Sequence, residues 1–274
     1  MAPRVLRLPA RGRLLIGTDL QGNLTDFRRL EAHFLAAGDD AWLVLTGDLV
    51  HGPDEATANQ WPDFLGTPYR DESPALIDAF LALKARAPGR VHCLLGNHDH
   101  AHIGGPVTYK FHDDEAAALE ARLDEEGRAR LKAAVQDFPL VAVAPCGVVL
   151  LHAAPSANVS HPDELEAVPL DGYRHLDILD FARVPVLGPL LWSRMAKEHE
   201  AERFVRALGG EVAIYGHDIV REGYAKDGPR QLCVSTSFGC HDAVKTYVEV
   251  DLSARYVSVD DFREGVELKR LVPA

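Results

Sequence analysis

Short apolar runs alternate with longer segments of helical spacing through the first half of the chain. The runs "RLLIG", "AWLVLTG" and "RVHCLLGN" predict buried strands. Between the first two, Leu24, Phe27, Leu30 and Phe34 recur at three- and four-residue spacing, and Gly38 follows as a stop signal, which predicts an amphipathic helix. The segment "PALIDAFLALKARA" shows a second helical pattern. This alternation predicts an α/β fold.

The second half of the chain is richer in strand patterns. Turn signals separate the runs "LVAVAP", "GVVLLHA", "EVAIYGH", "QLCVSTS", "VKTYVEVD" and "YVSVD". A long charged helix is predicted from Asp113 over "DDEAAALEARLDEEGRARLKAAVQDF". The proline-rich segment 161–192 lacks periodicity and is interpreted as a surface insertion. We therefore expect one domain over residues 1–274, built from two packed sheets with outer helices.

Composition and charge narrow the class of protein. The 274 residues are 47% hydrophobic and 26% charged, which is typical of a globular protein, and the net charge is -12. Such a charge disfavours nucleic acid or an anionic membrane as a partner. The longest apolar stretch, 138–157, contains three prolines, a glycine and a histidine, so it is too interrupted to span a bilayer. Since the first residues also lack a signal-peptide pattern, we expect a cytoplasmic protein.

Polar residues follow five of the apolar runs. They are Asp19, Asp48, the trio Asn97, His98 and Asp99, then His152 and His217. Because ligands bind beyond the carboxyl ends of strands in α/β sheets, these residues are expected to converge. Carboxylate, amide oxygen and imidazole are ligands for a borderline to hard divalent cation. The four cysteines are scattered without a C-x-x-C pair, which argues against a disulfide framework and a structural zinc site.

The order of these motifs resembles that of a known family. The segments "DLQGN", "GDLVHG", "GNHD", "LLHAAPS" and "YGHDIVREGY" are similar to the ordered motifs of the calcineurin-like metallophosphoesterases. Within that superfamily they resemble the phosphoprotein phosphatase branch, which includes bacterial Ser/Thr phosphatases and diadenosine tetraphosphatases. The segments "YKFHDDE", "FPLVAV", "LLWS" and "CVSTSFG" extend the likeness over most of the chain. The resemblance implies a four-layer αββα sandwich of two mixed β-sheets flanked by helices.

The resemblance also implies roles for individual residues. It makes Asp48 the bridge between two divalent cations, Asp19 and Gln21 the other ligands of the first cation, and Asn97, His152 and His217 the ligands of the second. The cations are expected to be Mn²⁺, with Fe, Zn or Mg²⁺ as alternatives, and to activate a water molecule. His98 would protonate the leaving alkoxide. Asp48 and His98 are thus the expected catalytic residues.

Three positions depart from the family pattern. Gln21 stands where the family has a histidine; it either binds the first cation weakly through its oxygen or points away to a neighbour. The family's phosphate-clamping arginine and its aspartate that orients the proton donor lack a match in "GDLVHG". His51 could replace either or lie exposed in its turn, and Arg194 is either the phosphate clamp or a solvated residue. Asn97, His51 and Arg194 are therefore the expected substrate contacts, whereas His100 and His102 are interpreted as rim residues.

Three functions fit these observations. The first is a two-metal phosphomonoesterase, most simply a Ser/Thr protein phosphatase. The second is a hydrolase of nucleotides or dinucleoside polyphosphates with the same chemistry. The third is a degenerate module that binds a phosphorylated protein without hydrolysing it, and a nuclease ranks last because the net charge is acidic.

Overall fold

The computed structural model describes residues 3–272, which form eleven strands, ten α-helices and three short 3-10 helices. The strands are β1 Val5–Arg7, β2 Arg13–Gly17, β3 Ala41–Leu45, β4 Val91–Cys93, β5 Val141–Val143, β6 Val148–Leu151, β7 Val212–Tyr215, β8 Tyr224–Asp227, β9 Gln231–Val234, β10 Thr246–Asp251 and β11 Leu268–Arg270. The α-helices are α1 Leu24–Ala36, α2 Glu55–Asn59, α3 Ser73–Arg86, α4 Asn97–His100, α5 Glu115–Ala121, α6 Glu125–Gln136, α7 Asp163–Glu166, α8 Ile178–Phe181, α9 Leu187–Trp192 and α10 Glu198–Ala207. Among the helices of residues 3–272, none is both long and apolar enough to cross a membrane.

The strands form two mixed sheets. The six-stranded sheet has the order β1-β5-β6-β7-β9-β8, and the five-stranded sheet has the order β11-β10-β2-β3-β4. Strands β2, β3 and β4 run parallel, as do β6, β7 and β9. Each sheet therefore presents several carboxyl strand ends along one edge.

Alternation along the strands divides the core into two layers. Leu14 and Ile16 of β2 face the second sheet and pack with alternate residues of β6, β7, β9 and β10. Leu15, between them, faces the opposite way into a cluster that includes Phe27 of α1 and Phe80 of α3. Burial of each such side chain contributes about 1.5–3 kcal/mol to folding. Helices thus cover the outer faces of two stacked sheets, which confirms the predicted four-layer αββα sandwich.

Helix α1 shows how the sequence sets an element and its ends. The side chain of Asn23 accepts a hydrogen bond from the Asp26 backbone N–H and caps the first turn. The predicted stop at Gly38 is confirmed, because the helix ends at Ala36 and Gly38 has a φ of 103°. This helix begins directly after the loop that carries Asp19 and Gln21, so its cap fixes that loop.

Two predicted elements are wrong. The segment "YVSVD" is not a strand; Ser258 caps the 3-10 helix Val259–Asp261 instead. The long charged helix is two helices, α5 and α6, because Asp124 adopts an extended backbone and caps the second with its side chain. Strands β1, β8 and β11 were not predicted.

The segment 161–192 is only partly on the surface. It contains the short helices α7, α8 and α9, and its residues Leu165, Phe181, Leu190 and Leu191 are buried in the main core. Pro162 directly precedes α7, Pro185 lies just before α9, and Pro189 lies in the first turn of α9; the helices of this segment are short, which explains the missing periodicity. Trp192, at the end of α9, lies in the wall of the cavity described below.

Candidate metal centre

The five predicted strand ends meet at one edge of the sandwich. Asp19, Asp48 and Asn97 follow β2, β3 and β4 of one sheet, while His152 and His217 follow β6 and β7 of the other. Apart from the partly exposed His217, these side chains are buried. The predicted ligands therefore approach one another from the two sheets, because in each sheet they follow the carboxyl ends of parallel strands.

The backbone of this edge is held in unusual conformations. Asp19, Gln21, Asp48, His51 and His217 have positive φ angles of 47°, 40°, 53°, 70° and 67°, and in the described part of the chain Val186 is the one other non-glycine residue in this region. Such a conformation costs on the order of 1 kcal/mol per residue. It is offset by hydrogen bonds between the loops, such as that from the Gln21 N–H to the Asp48 carbonyl at 2.9 Å. Clustered strain of this kind is typical of functional sites.

Asp48, Asn97, His152 and His217 form a ligand cluster with the spacing of a cation site. His152 Nε2 lies 2.8 Å from Asn97 Oδ1, 3.1 Å from His217 Nδ1 and 3.6 Å from Asp48 Oδ1. His152 Nδ1 lies 3.0 Å from the Thr46 carbonyl and donates to it, so Nε2 presents a lone pair to the amide oxygen. The lone pairs of the imidazole nitrogen and the amide oxygen repel each other unless a proton or a cation lies between them. Separations near 3 Å between ligand atoms are also those expected around a cation whose bonds to its ligands are about 2.1 Å long. The donor set therefore fits a divalent cation.

The charge of Asp48 suits a bridging ligand. Burial opposes its ionisation, but His152, His98 and His217 outweigh burial and hold the pKa of Asp48 at about 2. Burial, reinforced by the negative charge of Asp48, raises the pKa of Asp19 well above its ordinary value. A divalent cation between the two carboxylates would remove the repulsion that this shift reflects.

Gln21 lies next to Asp48 but turns its oxygen away from it. Its Nε2 donates to Asp48 Oδ2 at 3.3 Å, and its Oε1 accepts a hydrogen bond from Lys110 Nζ at 2.9 Å. The arrangement corresponds to the second of the two alternatives for Gln21, in which the side chain binds a neighbour.

His98 is held by a carboxylate that the sequence did not reveal. Its Nδ1 lies 3.2 Å from Glu115 Oε2 and 3.2 Å from His51 Nδ1, while its Nε2 faces Asp48 Oδ2 at 4.0 Å. Burial opposes ionisation of Glu115, yet the close contact with the His98 imidazole outweighs it, so the pKa of Glu115 is lowered. Glu115 thus places against His98 a carboxylate of the kind for which "GDLVHG" offered no match.

His51, His100 and His102 are buried, so the alternative in which His51 lies exposed in its turn is wrong, as is the interpretation of His100 and His102 as rim residues. His51 Nε2 contacts His102 Nε2 at 2.9 Å, and His102 Nδ1 contacts Glu120 Oε1 at 3.0 Å. His100 is also buried, with Nε2 donating to the Leu170 carbonyl at 2.7 Å. Segment 161–192 packs on this turn through Tyr173 and Phe181, whose ring centroids lie 6.0 and 5.3 Å from that of His100.

Asp99 has a structural role. Its carboxylate accepts hydrogen bonds from the backbone N–H groups of Asp48 at 2.8 Å, Leu49 at 3.1 Å and Gly96 at 3.2 Å. These bonds join the turn after β3 to the turn after β4. They therefore hold Asp48 and Asn97 in fixed relative positions.

A cavity of about 180 Å³ opens over the cluster. Its lining includes Asp48, Asn97, His98, Lys110, Trp192, Arg194 and His217. His217 Nε2 and Trp192 Nε1 are buried there without a hydrogen-bond partner in the described structure. Since His217 Nδ1 faces the ligand cluster, Nε2 carries the proton, and both atoms are donors for an oxygen-rich ligand. Two cationic side chains line the cavity. Arg194 is exposed and forms an ion pair with Asp218, and Lys110 is the other.

We expect Gly96→Ala to abolish metal binding without unfolding the protein. A Cβ at Gly96 would overlap the Asp48 backbone nitrogen and Oδ1, so the turn that presents Asp48 must move. Metal content after dialysis and the thermal unfolding midpoint measure the two effects. Gly172→Ala is the matched control, because Gly172 has open space around it and a φ of 98°, so it should lose a little stability and no metal. Native metal content in Gly96→Ala would contradict this account.

Comparison with known proteins agrees with the geometry of the site. The family described as calcineurin-like phosphoesterase matches residues 12–221. A serine/threonine-protein phosphatase of Caenorhabditis elegans is 23% identical over 160 residues, covering 53% of this chain and 33% of that protein. The chain thus spans about a third of the length of this curated relative.

Two solved structures share the fold at low identity. A protein serine/threonine phosphatase from Saccharomyces cerevisiae has a TM-score of 0.63 and 14% identity, covering 91% of this chain and 77% of that one. A cold-active protein-tyrosine phosphatase from a Shewanella species has a TM-score of 0.60 and 13% identity, covering 92% of this chain and 78% of that one. With the match over residues 12–221, which confirms the resemblance in the sequence, the chain belongs to the calcineurin-like phosphoesterase family.

Proposed function

We propose that the protein is a metal-dependent phosphoester hydrolase that acts on phosphate monoesters, most simply in the manner of a Ser/Thr protein phosphatase. The observation that carries this proposal is the convergence of Asp48, Asn97, His152 and His217 within hydrogen-bonding distances, with His98 beside them. A non-catalytic binding module would not require the imidazole and its carboxylate partner. The family and the carboxylate–imidazole clusters also support a dinuclear centre, for which Mn²⁺ is our proposed metal.

The residues divide into two cation positions. Asp48, Asn97, His152 and His217 would hold one cation, and Asp19, Gln21 and Asp48 the other. When bound, divalent cations polarise phosphoryl oxygens and lower the pKa of water, which supplies the nucleophile. The protein's contribution is to fix the ligands through Asp99 and the strained turns already described.

His98 would protonate the leaving alkoxide. Its Nε2 faces the cavity side of Asp48, and Glu115 lies against Nδ1, so the carboxylate keeps a proton on Nδ1 and stabilises the imidazolium, whose Nε2–H would be the proton donated to the leaving oxygen. Imidazole suits the task because it exchanges protons near neutral pH. Lys110 and Arg194 supply positive charge for the phosphoryl oxygens, and the His217 and Trp192 N–H groups supply donors.

The cavity wall favours a second candidate substrate class. Trp192, Ile178 and the exposed Tyr109 line the cavity beside the ligand cluster. Aromatic faces of this kind can stack on a nucleobase. A nucleotide or dinucleoside polyphosphate is therefore the alternative to a phosphorylated protein.

A substrate panel tests the proposal. The apo-protein loaded with Mn²⁺ is offered a phosphoserine peptide, a phosphothreonine peptide, a nucleoside triphosphate and diadenosine tetraphosphate. We expect the highest kcat/KM on a phosphopeptide. Preference for the nucleotides would select the alternative, and binding without hydrolysis of any member would reject the enzyme.

Glu115→Gln should lower kcat by about 10- to 100-fold with little change in KM, because the proton donor loses its carboxylate partner. The basic limb of the pH–kcat profile should also move to lower pH, since a neutral amide stabilises the imidazolium less than a carboxylate does. Steady-state kinetics across pH measure both effects. Glu120→Gln is the control: Glu120 is partly exposed and contacts His102 rather than His98, so the variant should change kcat by less than threefold. An unchanged pH profile in Glu115→Gln would contradict its positioning role.

A further inference from the structure

Lys110 brings a positive charge to one of the two cation positions. It belongs to an exposed part of the chain, but its side chain crosses the ring of Phe238, with Nζ 4.3 Å from the ring centroid. From there Nζ reaches the buried oxygen of Gln21 at 2.9 Å. Lys110 also lines a cavity with Asp19, Gln21 and His217. The ammonium thus lies among the residues of the Asp19–Gln21–Asp48 position.

The chemistry of its partners fixes the orientation of the Gln21 amide. An ammonium group can only donate hydrogen bonds, and an ionised carboxylate can only accept them. Gln21 Oε1 must therefore face Lys110, and Nε2 must face Asp48, as the structure has them. To offer its oxygen to a cation, Gln21 must rotate, break both bonds and leave the ammonium beside the incoming charge.

The other cation position carries no such obstacle. Around His152 Nε2, the neighbouring ligand atoms are an amide oxygen, an imidazole nitrogen and a carboxylate oxygen. The salt bridges of Asp48 within the described residues are to the histidines His98 and His152, and no lysine or arginine pairs with it. This position needs no rearrangement of a hydrogen-bonded amide.

We propose that the two cation positions fill in a fixed order, and that Lys110 is a built-in competitor for the second ion. This inference rests on the dinuclear centre of the proposed function. The Asp48–Asn97–His152–His217 position fills first. The ammonium of Lys110 supplies the positive charge at Asp19–Gln21–Asp48 until a cation displaces it from Gln21. Repulsion between a unit and a double charge a few ångströms apart in a solvent-screened site weakens that second step by on the order of tenfold.

The order of filling can be measured without substrate. Apo-protein is titrated with Mn²⁺ by calorimetry, and bound metal is counted after gel filtration at fixed free Mn²⁺. We expect two separate steps in the native protein. Lys110→Met removes the charge but keeps an apolar chain against Phe238, so it should tighten the second step by about tenfold and leave the first unchanged. Lys110→Arg should keep the weak second step.

Controls separate this inference from folding and from catalysis. Lys226→Met removes a lysine charge from the exposed strand β8 and should change neither step. An unchanged first step in Lys110→Met shows that the variant is folded. Two ions of equal affinity in the native protein, or a second step that Lys110→Met leaves unchanged, would overturn the inference. Absence of hydrolysis alone would overturn the proposed function and leave the ordered filling intact, because the readout is bound metal.

Discussion

Asp48→Asn should remove most metal binding and lower kcat/KM by about a thousandfold or more. Asp48 is buried, faces His152 in the Asp48–Asn97–His152–His217 position and contacts Gln21 in the Asp19–Gln21–Asp48 position. An asparagine side chain lacks the negative charge that a cation requires. Asp48 Oδ1 also accepts a hydrogen bond from the His98 backbone N–H at 3.0 Å, and an amide NH₂ group in that place would face this N–H donor. Metal content after dialysis against Mn²⁺ and hydrolysis of para-nitrophenyl phosphate measure the two losses.

Asp163→Asn is the matched control for that variant. Asp163 is exposed on α7, and its ion pair within residues 3–272 is with the exposed His161, so the same exchange should leave metal content and activity unchanged. Because the pKa of Asp48 is about 2, far below its ordinary value, its charge is present above that pH and is lost only as the pH falls through it. Full metal content in Asp48→Asn would contradict its bridging role.

His98→Ala should keep the native metal content and lose the chemical step, with kcat reduced by about 10²- to 10⁴-fold. The imidazole contacts Glu115 and His51 through Nδ1 and lies 4.0 Å from Asp48 through Nε2, outside the ligand cluster. The loss should be larger for an alkyl phosphate than for para-nitrophenyl phosphate, because a poor leaving group depends more on a proton donor. Kinetics on both substrates at saturating Mn²⁺ give this ratio.

His161→Ala removes an exposed imidazole and should change neither metal content nor kcat. Loss of metal in His98→Ala would place His98 among the ligands and reject its role as a proton donor. An equal loss on both substrates would instead indicate that the imidazole positions the phosphoryl group.

The strand ends of the candidate site could be predicted from sequence because each lies directly after an apolar run. Residues that directly follow parallel strands lie at one edge of a sheet, so the sequence alone predicts that Asp19, Asp48, Asn97, His152 and His217 lie together. The alternation of strands and helices predicted two packed sheets with outer helices, and the resemblance to the family implied the four-layer αββα sandwich. Local pattern and short-range spacing were sufficient for this part of the site.

Glu115 and Lys110 could not be found in this way. Glu115 is the first residue of α5 and lies in a charged segment whose alternating signs are typical of a solvated helix. The spacing of charges along this segment does not indicate that the first turn of α5 packs on His98. Lys110 stands in a turn with no periodicity, and its contact with Gln21 joins residues far apart in the sequence. The burial of His51 has the same origin, because Glu115 and His102 arrive from separate elements. Contacts of this kind depend on tertiary packing.

The most direct test of the account is to titrate apo-protein with Mn²⁺ and follow bound metal and hydrolysis of para-nitrophenyl phosphate in the same samples. We predict that activity is absent without metal and rises with the second bound ion, reaching a plateau at two ions per chain. No hydrolysis at saturating Mn²⁺, with metal bound at the Asp48–Asn97–His152–His217 position, would contradict the hydrolase and leave a binding protein with a phosphatase fold.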